Sequence, residues 1–317
     1  MSETEQIYLH EIQLMMHGCG DCAKPLQSTA KVVASIVQQQ ALNIAWRAEE
    51  QAIRRGFKTV TPRDIIFLMR NNPDKLRRLY SYLSVKEMRT NFTSLAGSDV
   101  MEAAGEEMEG DVSNFKGESA KKSRLASLRD MFTEIDTSGE LIDSLNSPSL
   151  DPIRQKREQR ADSMSQSLDP AGYFEFSNAR RAAFVNSKLT QHRFLEWLTL
   201  GIDTSQGLAG EPHVTLPRIS SPAIDILAYL AKETVAMLVD FALMVRQDSC
   251  GTFPGGPLRP LTLRPPSNSN TANVLEKLPI TPAEIREALR RYWSPVFTQS
   301  AGLVRAGPPL SNQLMAC

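Results

Sequence analysis

A chain of 317 residues has room for two domains or one large one. Its 36 Lys plus Arg balance 36 Asp plus Glu, so no global field draws it to nucleic acid or acidic lipid. Four cysteines in that length make no disulfide framework and point to a reducing compartment.

The opening Met-Ser-Glu-Thr-Glu is acidic and polar, the opposite of a leader peptide. Tyr8, Ile12, Met15 and Met16 then fall on one helical face, and Gly18, Gly20 and Pro25 break that helix. A long helix is expected from near Ser28, with Val33, Ile36, Val37, Ala41, Ile44, Ala45, Ala48 and Ala52 at helical spacing. It ends at Arg54-Arg55-Gly56, where cations suit the helix C-terminus and Gly supplies the stop. Lys58 to Val60 is short and β-prone. Thr61-Pro62-Arg63-Asp64 then opens a short helix: Thr as N-cap, Pro at the first helical position, an acid three residues after the cap. A further helix follows Pro73 on Leu76, Leu79, Tyr80 and Leu83.

Residues 91–170 read as a connector, rich in Ser, Gly and charge, and acidic over Glu102, Glu106, Glu107, Glu109 and Asp111. Met131 to Leu141 stands out within it, either as a docking piece or as a transient helix. The second block, 171–297, begins with helices around Tyr173 to Phe184 and Phe194 to Leu198. From Pro222 a second long helix carries two apolar stripes, one through Leu227, Ala231, Val235 and Leu238, the other through Ile226, Leu230, Met237 and Phe241. Asp225, Lys232, Glu233 and Asp240 within it exclude a membrane span, so a soluble intracellular protein is expected. Residues 249–277 form a Pro/Gly/Ser/Asn-rich insertion, and Ile280-Thr281-Pro282-Ala283-Glu284 repeats the first helix-start signature before Ile285, Ala288, Leu289 and Tyr292. Residues 298–317 are a tail.

The order short helix, long helix, short helix therefore occurs twice. A long helix apolar on two sides needs cover on two sides. Leaving one face in water would forgo roughly 10–20 kcal/mol, at about 1.5–3 kcal/mol per large side chain, as much as a whole domain's stability. Two such units crossing head to tail cover each other, with Lys58 to Val60 and Leu278 to Ile280 each pairing with the other unit's first loop. The shared interface would then hold Ile36, Val37, Ile44, Ala48, Val60, Leu227, Ala231, Val235, Leu238 and Ile280.

That is the shape of a histone-fold pair, and the chain resembles the suppressor-of-Ty-three family, the histone-fold-pair subunit of the SAGA transcription coactivator. The resemblance is carried by Lys24 to Leu26, Val60 to Arg70, Lys75 to Leu79, Tyr173 to Phe176, Arg193 to Trp197, Ile226 to Ala231, Glu233 to Val235, Ala242 to Asp248 and Ile285 to Tyr292. It covers both blocks; the acidic connector and 249–277 diverge. It implies an all-α chain with two histone folds forming an intramolecular heterodimer-like pair joined by an acidic linker. The N-terminal fold with an extra helix would span 5–90, the largely flexible linker 91–170, and the C-terminal fold 171–297. It further implies a nuclear subunit without catalytic activity or cofactor, whose halves are similar to TBP-associated factors eleven and thirteen of TFIID. The implied partners are TATA-box-binding protein and other SAGA core subunits, including histone-fold TBP-associated factors, in regulating RNA polymerase II transcription. No membrane and no small-molecule substrate is implied.

Other motifs have plainer readings. His17, Cys19 and Cys22 give three zinc-type ligands with His10 as a distant fourth, but a lone C-x-x-C is weak evidence and a Gly-rich turn explains it. Asp64 and Glu284 are explained by capping rather than as a carboxylate pair. Arg54, Arg55, Lys58 and Arg63 surround the second loop of the first unit; as an alternative to a solvated face, they would touch DNA phosphates. Asp225, Glu233 and Asp240 are expected on the exposed side of the second long helix, as candidates for a basic partner surface such as that of TATA-box-binding protein.

Overall fold

The computed structural model describes residues 7–96, 130–133, 139, 151–200, 202, 216–251, 278–293 and 314–315. The acidic stretch 102–111, nearly all of 249–277 and most of 298–317 lie outside the described residues, as does most of Met131 to Leu141. The described chain is helical: α1 (Leu9–Cys19), α2 (Gln27–Arg54), α3 (Pro62–Met69), α4 (Pro73–Ala96), α5 (Pro152–Ser167), α6 (Pro170–Arg181), α7 (Lys188–Leu200), α8 (Ser221–Gly251) and α9 (Pro282–Tyr292). Among the described residues there is no strand, only a parallel bridge between Val60 and Ile219. No helix of the described residues is long and apolar enough to cross a membrane.

The two long helices organise the rest. At 28 and 31 residues, α2 and α8 run about 42 and 46 Å, and they pack against each other. Around them the contacts cross over. The short helix α3 packs on both α2 and α8, α9 packs on both α8 and α2, and α1 and α7 likewise each touch both long helices. A single cluster of buried side chains results, running from Tyr8 through Val37 and Ile65 to Leu238, Ile280 and Ile285.

The loops after the long helices are tied into the other half. Val60 N–H donates to the Arg218 carbonyl at 2.8 Å, and Ser220 N–H to the Val60 carbonyl at 2.9 Å. The second β-prone piece differs from the sequence expectation: among the described residues it forms no bridge. Instead Ile280 N–H donates to Asp21 Oδ1 at 2.9 Å, and the Ile280 carbonyl accepts from Thr29 Oγ1 at 2.6 Å. Side chains take the place of a partner backbone there, so both main-chain groups of a fully buried residue are satisfied.

Gly18 also departs from expectation. It lies inside α1 rather than in the turn after it, and a Cβ there would sit 2.7 Å from the Ala179 carbonyl oxygen of α6. It is a close-approach residue that lets α1 and α6 touch backbone to backbone. Gly20, at φ 120°, ends the helix.

Residues 152–167 fall in the stretch read as connector, yet form a 16-residue helix. Asp151 caps it, accepting from the N–H groups of Ile153 and Arg154 at 3.0 and 3.2 Å. Its attachment is ionic: Arg157 and Arg160, three residues apart, both reach Asp240 on α8. Hydrophobic periodicity is blind to such a helix, whose buried residue is Ala161. Two further short pieces dock on the first half. Phe132 is buried edge-on to Tyr80. Met315, fully buried, donates its N–H to Gln40 Oε1 at 2.9 Å, and its carbonyl accepts from Lys75 Nζ at 2.7 Å.

Candidate functional site

Each long helix ends on a clamp that holds the short helix beyond it. In the first half, Asp64 Oδ2 accepts from Thr61 N–H at 2.9 Å and from Thr61 Oγ1 at 2.8 Å. Arg55 then grips the same carboxylate in fork geometry, Nε to Oδ1 at 2.8 Å and Nη2 to Oδ2 at 2.6 Å. In the second half, Glu284 Oε2 accepts from Thr281 N–H at 2.7 Å and from Thr281 Oγ1 at 2.9 Å. Arg246 forks onto Glu284 at 2.8 and 3.0 Å and also donates to the carbonyls of Leu278 and Pro279. Capping accounts for only half of what these acids do. The sequence signal for the rest was an Arg near the end of each long helix, ahead of each Thr-Pro-x-acid.

The carboxyls of half-buried Glu284, in the second clamp, and buried Asp21, beside it, are shifted in opposite directions. Burial pushes Glu284 up, but hydrogen bonds from Arg246 and Thr281 outweigh it and hold the carboxyl below its ordinary value. With a folded pKa below the unfolded one, near about 4.3, its stabilisation is complete above that value and lost as pH falls through the folded pKa. Asp21 is raised by burial, despite N–H groups from Ile280 and Cys22, so its contribution becomes more favourable as pH falls. Glu284→Gln, which cannot titrate, should therefore lose less stability than the wild type between pH about 5 and about 3, measured by thermal melts. Equal losses would mean that the clamp has no share in acid unfolding.

Ile36, Val37, Ile44, Ala48, Val60, Leu227, Ala231, Val235, Leu238 and Ile280 all lie buried in the one core cluster. The three candidate acids of α8, Asp225, Glu233 and Asp240, are not on an open face. Asp225 is held by Lys86 at 2.9 Å and Gln191 at 2.7 Å. Glu233, only 9% exposed, is shared by Arg78 and Arg157, and Asp240 by Arg157 and Arg160. The exposed side expected from α8 alone is covered by α4 and α5, because the pattern of one helix cannot reveal what folds over it. Of the basic loop residues, Arg54 and Lys58 are exposed, Arg63 is half-buried, and Arg55 is spent on Asp64.

The Cys-x-x-Cys region is a turn. His17 Nδ1 lies 3.1 Å from the Asp21 carbonyl, with its ring edge-on to Phe176. Burial pushes the Cys19 thiol up to about 11 and raises Cys22 as well. Among the described residues, no three His, Cys, Asp or Glu gather to hold a metal ion.

Residues 6–94 match the family model described as "Transcription initiation factor IID, 18kD subunit". The chain is 27% identical to the SAGA complex subunit Spt3 of Schizosaccharomyces pombe over 307 residues, 95% of each chain. It is 29% identical to the SAGA complex subunit SPT3 of Saccharomyces cerevisiae, over 76% of this chain and 74% of that one. It is also 31% identical to transcription initiation factor TFIID subunit 13 of Arabidopsis thaliana over 85 residues, 27% of this chain and 66% of that one. The resemblance to the suppressor-of-Ty-three family thus holds along both halves of the chain, with a stretch similar to the 18 kDa subunit of TFIID at its N-terminal end.

Proposed function

We propose that this chain is a non-catalytic, nuclear subunit of a SAGA-type transcription coactivator. In this reading two histone folds of one polypeptide, 5–90 and 171–297, pair with each other across the linker 91–170, and the pair contacts TATA-box-binding protein to regulate transcription by RNA polymerase II. The observation that carries it is the crossing of α2 and α8, with α3 and α9 each packed on both. Neither long helix could bury its two apolar sides within its own half. The names of its relatives, SAGA subunits and a TFIID subunit, support coactivator and TBP-associated-factor partners. Of the three acids, Asp225, held by Lys86 and Gln191 away from the α5 contact, is the proposed contact for the basic partner, reached when a partner cation replaces Lys86.

The test is affinity purification of the tagged full chain from nuclear extract, followed by direct binding to purified TATA-box-binding protein. Recovery of coactivator subunits together with TATA-box-binding protein is expected. Lys86→Ala should strengthen the direct binding by freeing Asp225. A folded chain that retains neither class of partner would rule the reading out.

A further inference from the structure

Where α5 meets α6, α8 and the end of α1, the fold leaves a half-open cavity of about 240 Å³. Pockets for drug-sized ligands span roughly 300–1,000 Å³, so this one suits a single large side chain. Ala161, Met164, Phe176, Tyr229 and Ala236 give it apolar lining. Six cations, Arg78, Arg154, Arg157, Arg160, Arg180 and Lys232, line it against two carboxylates, Glu158 and Glu233. Asp151 and Asp240 also pair with Arg78, Arg157 and Arg160; six cations against four acids still leave an excess of two positive charges.

The excess resides at Arg180 and Lys232. Glu158 is held by Arg154, and Glu233 by Arg78 and Arg157. Lys232 Nζ donates to the main-chain carbonyl of Arg180 at 3.0 Å, and the Arg180 guanidinium lies 5.9 Å from the Phe176 ring centre. Neither contact supplies a counter-charge. Burial holds the Lys232 ammonium below its ordinary pKa, with Arg180 adding to the shift and Cys19 opposing it. Arg157 adds a buried Nη2 that has no acceptor, a state that costs free energy until one is supplied.

We propose that this cavity is a docking site for an acidic segment of a partner protein, an apolar side chain entering the cavity while flanking carboxylates pair with Arg154, Arg180 and Lys232. Charge complementarity selects the occupant. A basic segment would add to the unpaired charge, and a neutral one would leave it uncompensated. Arg154 has a side chain 57% exposed, so a segment arriving from solvent can reach it, and guanidinium forks suit carboxylates bidentately.

The experiment is fluorescence anisotropy on the full chain with labelled Glu-Glu-Phe-Glu-Glu, compared with Gln-Gln-Phe-Gln-Gln and Glu-Glu-Ala-Glu-Glu. The first should bind about ten-fold more tightly than either control and weaken as salt rises. Arg180→Gln combined with Lys232→Gln should lower its affinity about ten-fold with the melting temperature unchanged. If that double variant does not fold, Arg154→Glu, on the exposed side of α5, should give the same loss. Equal binding of the Glu and Gln peptides, or undiminished binding by a folded variant, overturns the proposal. Such a result would leave the pairing of the two halves untouched.

Discussion

Replacing Leu238 with Asp should unfold both halves of the molecule together. Leu238 is fully buried near the middle of α8, in the cluster that also holds Val37 and Ile44 of α2. Losing the leucine contacts costs about 2–5 kcal/mol by analogy with Leu→Ala changes. A carboxylate with no partner in that place adds several kcal/mol more, or is forced to bind a proton. The sum reaches the range of about 5–15 kcal/mol that keeps a typical domain folded. Hydrogen exchange followed by peptide in α2, α3, α8 and α9 is the measurement. All four should lose protection, whereas loss confined to α8 and α9 would mean two independent cores. Leu238→Ala, with no charge to bury, should produce the same pattern at smaller amplitude.

Arg246→Met should be among the more damaging changes at a polar residue. The Arg246 side chain is 10% exposed and that of Glu284 20%. Its removal abandons the carboxylate and two carbonyls, those of Leu278 and Pro279, at once. Breaking a buried pair from one side costs about 3–5 kcal/mol, and the partial exposure of Glu284 places this case near 3 kcal/mol. Arg55→Met should cost a comparable amount: Arg55 is 28% exposed and leaves no carbonyl bare, but its partner Asp64 has a fully buried side chain. Urea denaturation of the two variants side by side tests both magnitudes, and a negligible loss in either variant would show that its fork does not hold the short helix.

What the amino-acid pattern revealed, and what it hid, follows from the kind of interaction involved. The long helices, their buried faces and both Thr-Pro starts were readable because apolar burial and capping leave local signatures at fixed spacing. The α5 helix was not, since it is held by Arg157 and Arg160 reaching acids some eighty positions away. Nothing near Arg157 in the chain announces Glu233 or Asp240. The same limit hid the cover over the α8 acids and the capture of Met315 by Gln40. Gly18 was misread for a related reason, because a glycine that admits a neighbouring helix looks the same as one that ends its own. The second loop meets the first loop of the other half as expected, at Asp21, but Asp21 and Thr29 supply by side chain what a strand would have supplied by backbone.

The packing of α2 on α8 within one polypeptide also settles a matter of supply. Two separate chains in such an embrace would part on dilution, and each would need to be made in equal amounts. Joined ends keep one half close to the other at a local concentration set by the chain between them, whatever the cellular level. A cell therefore cannot overproduce one half, leave it orphaned to aggregate, or trade it for a competitor's. Stoichiometry here is written into the gene, and each copy reaches its complex already matched.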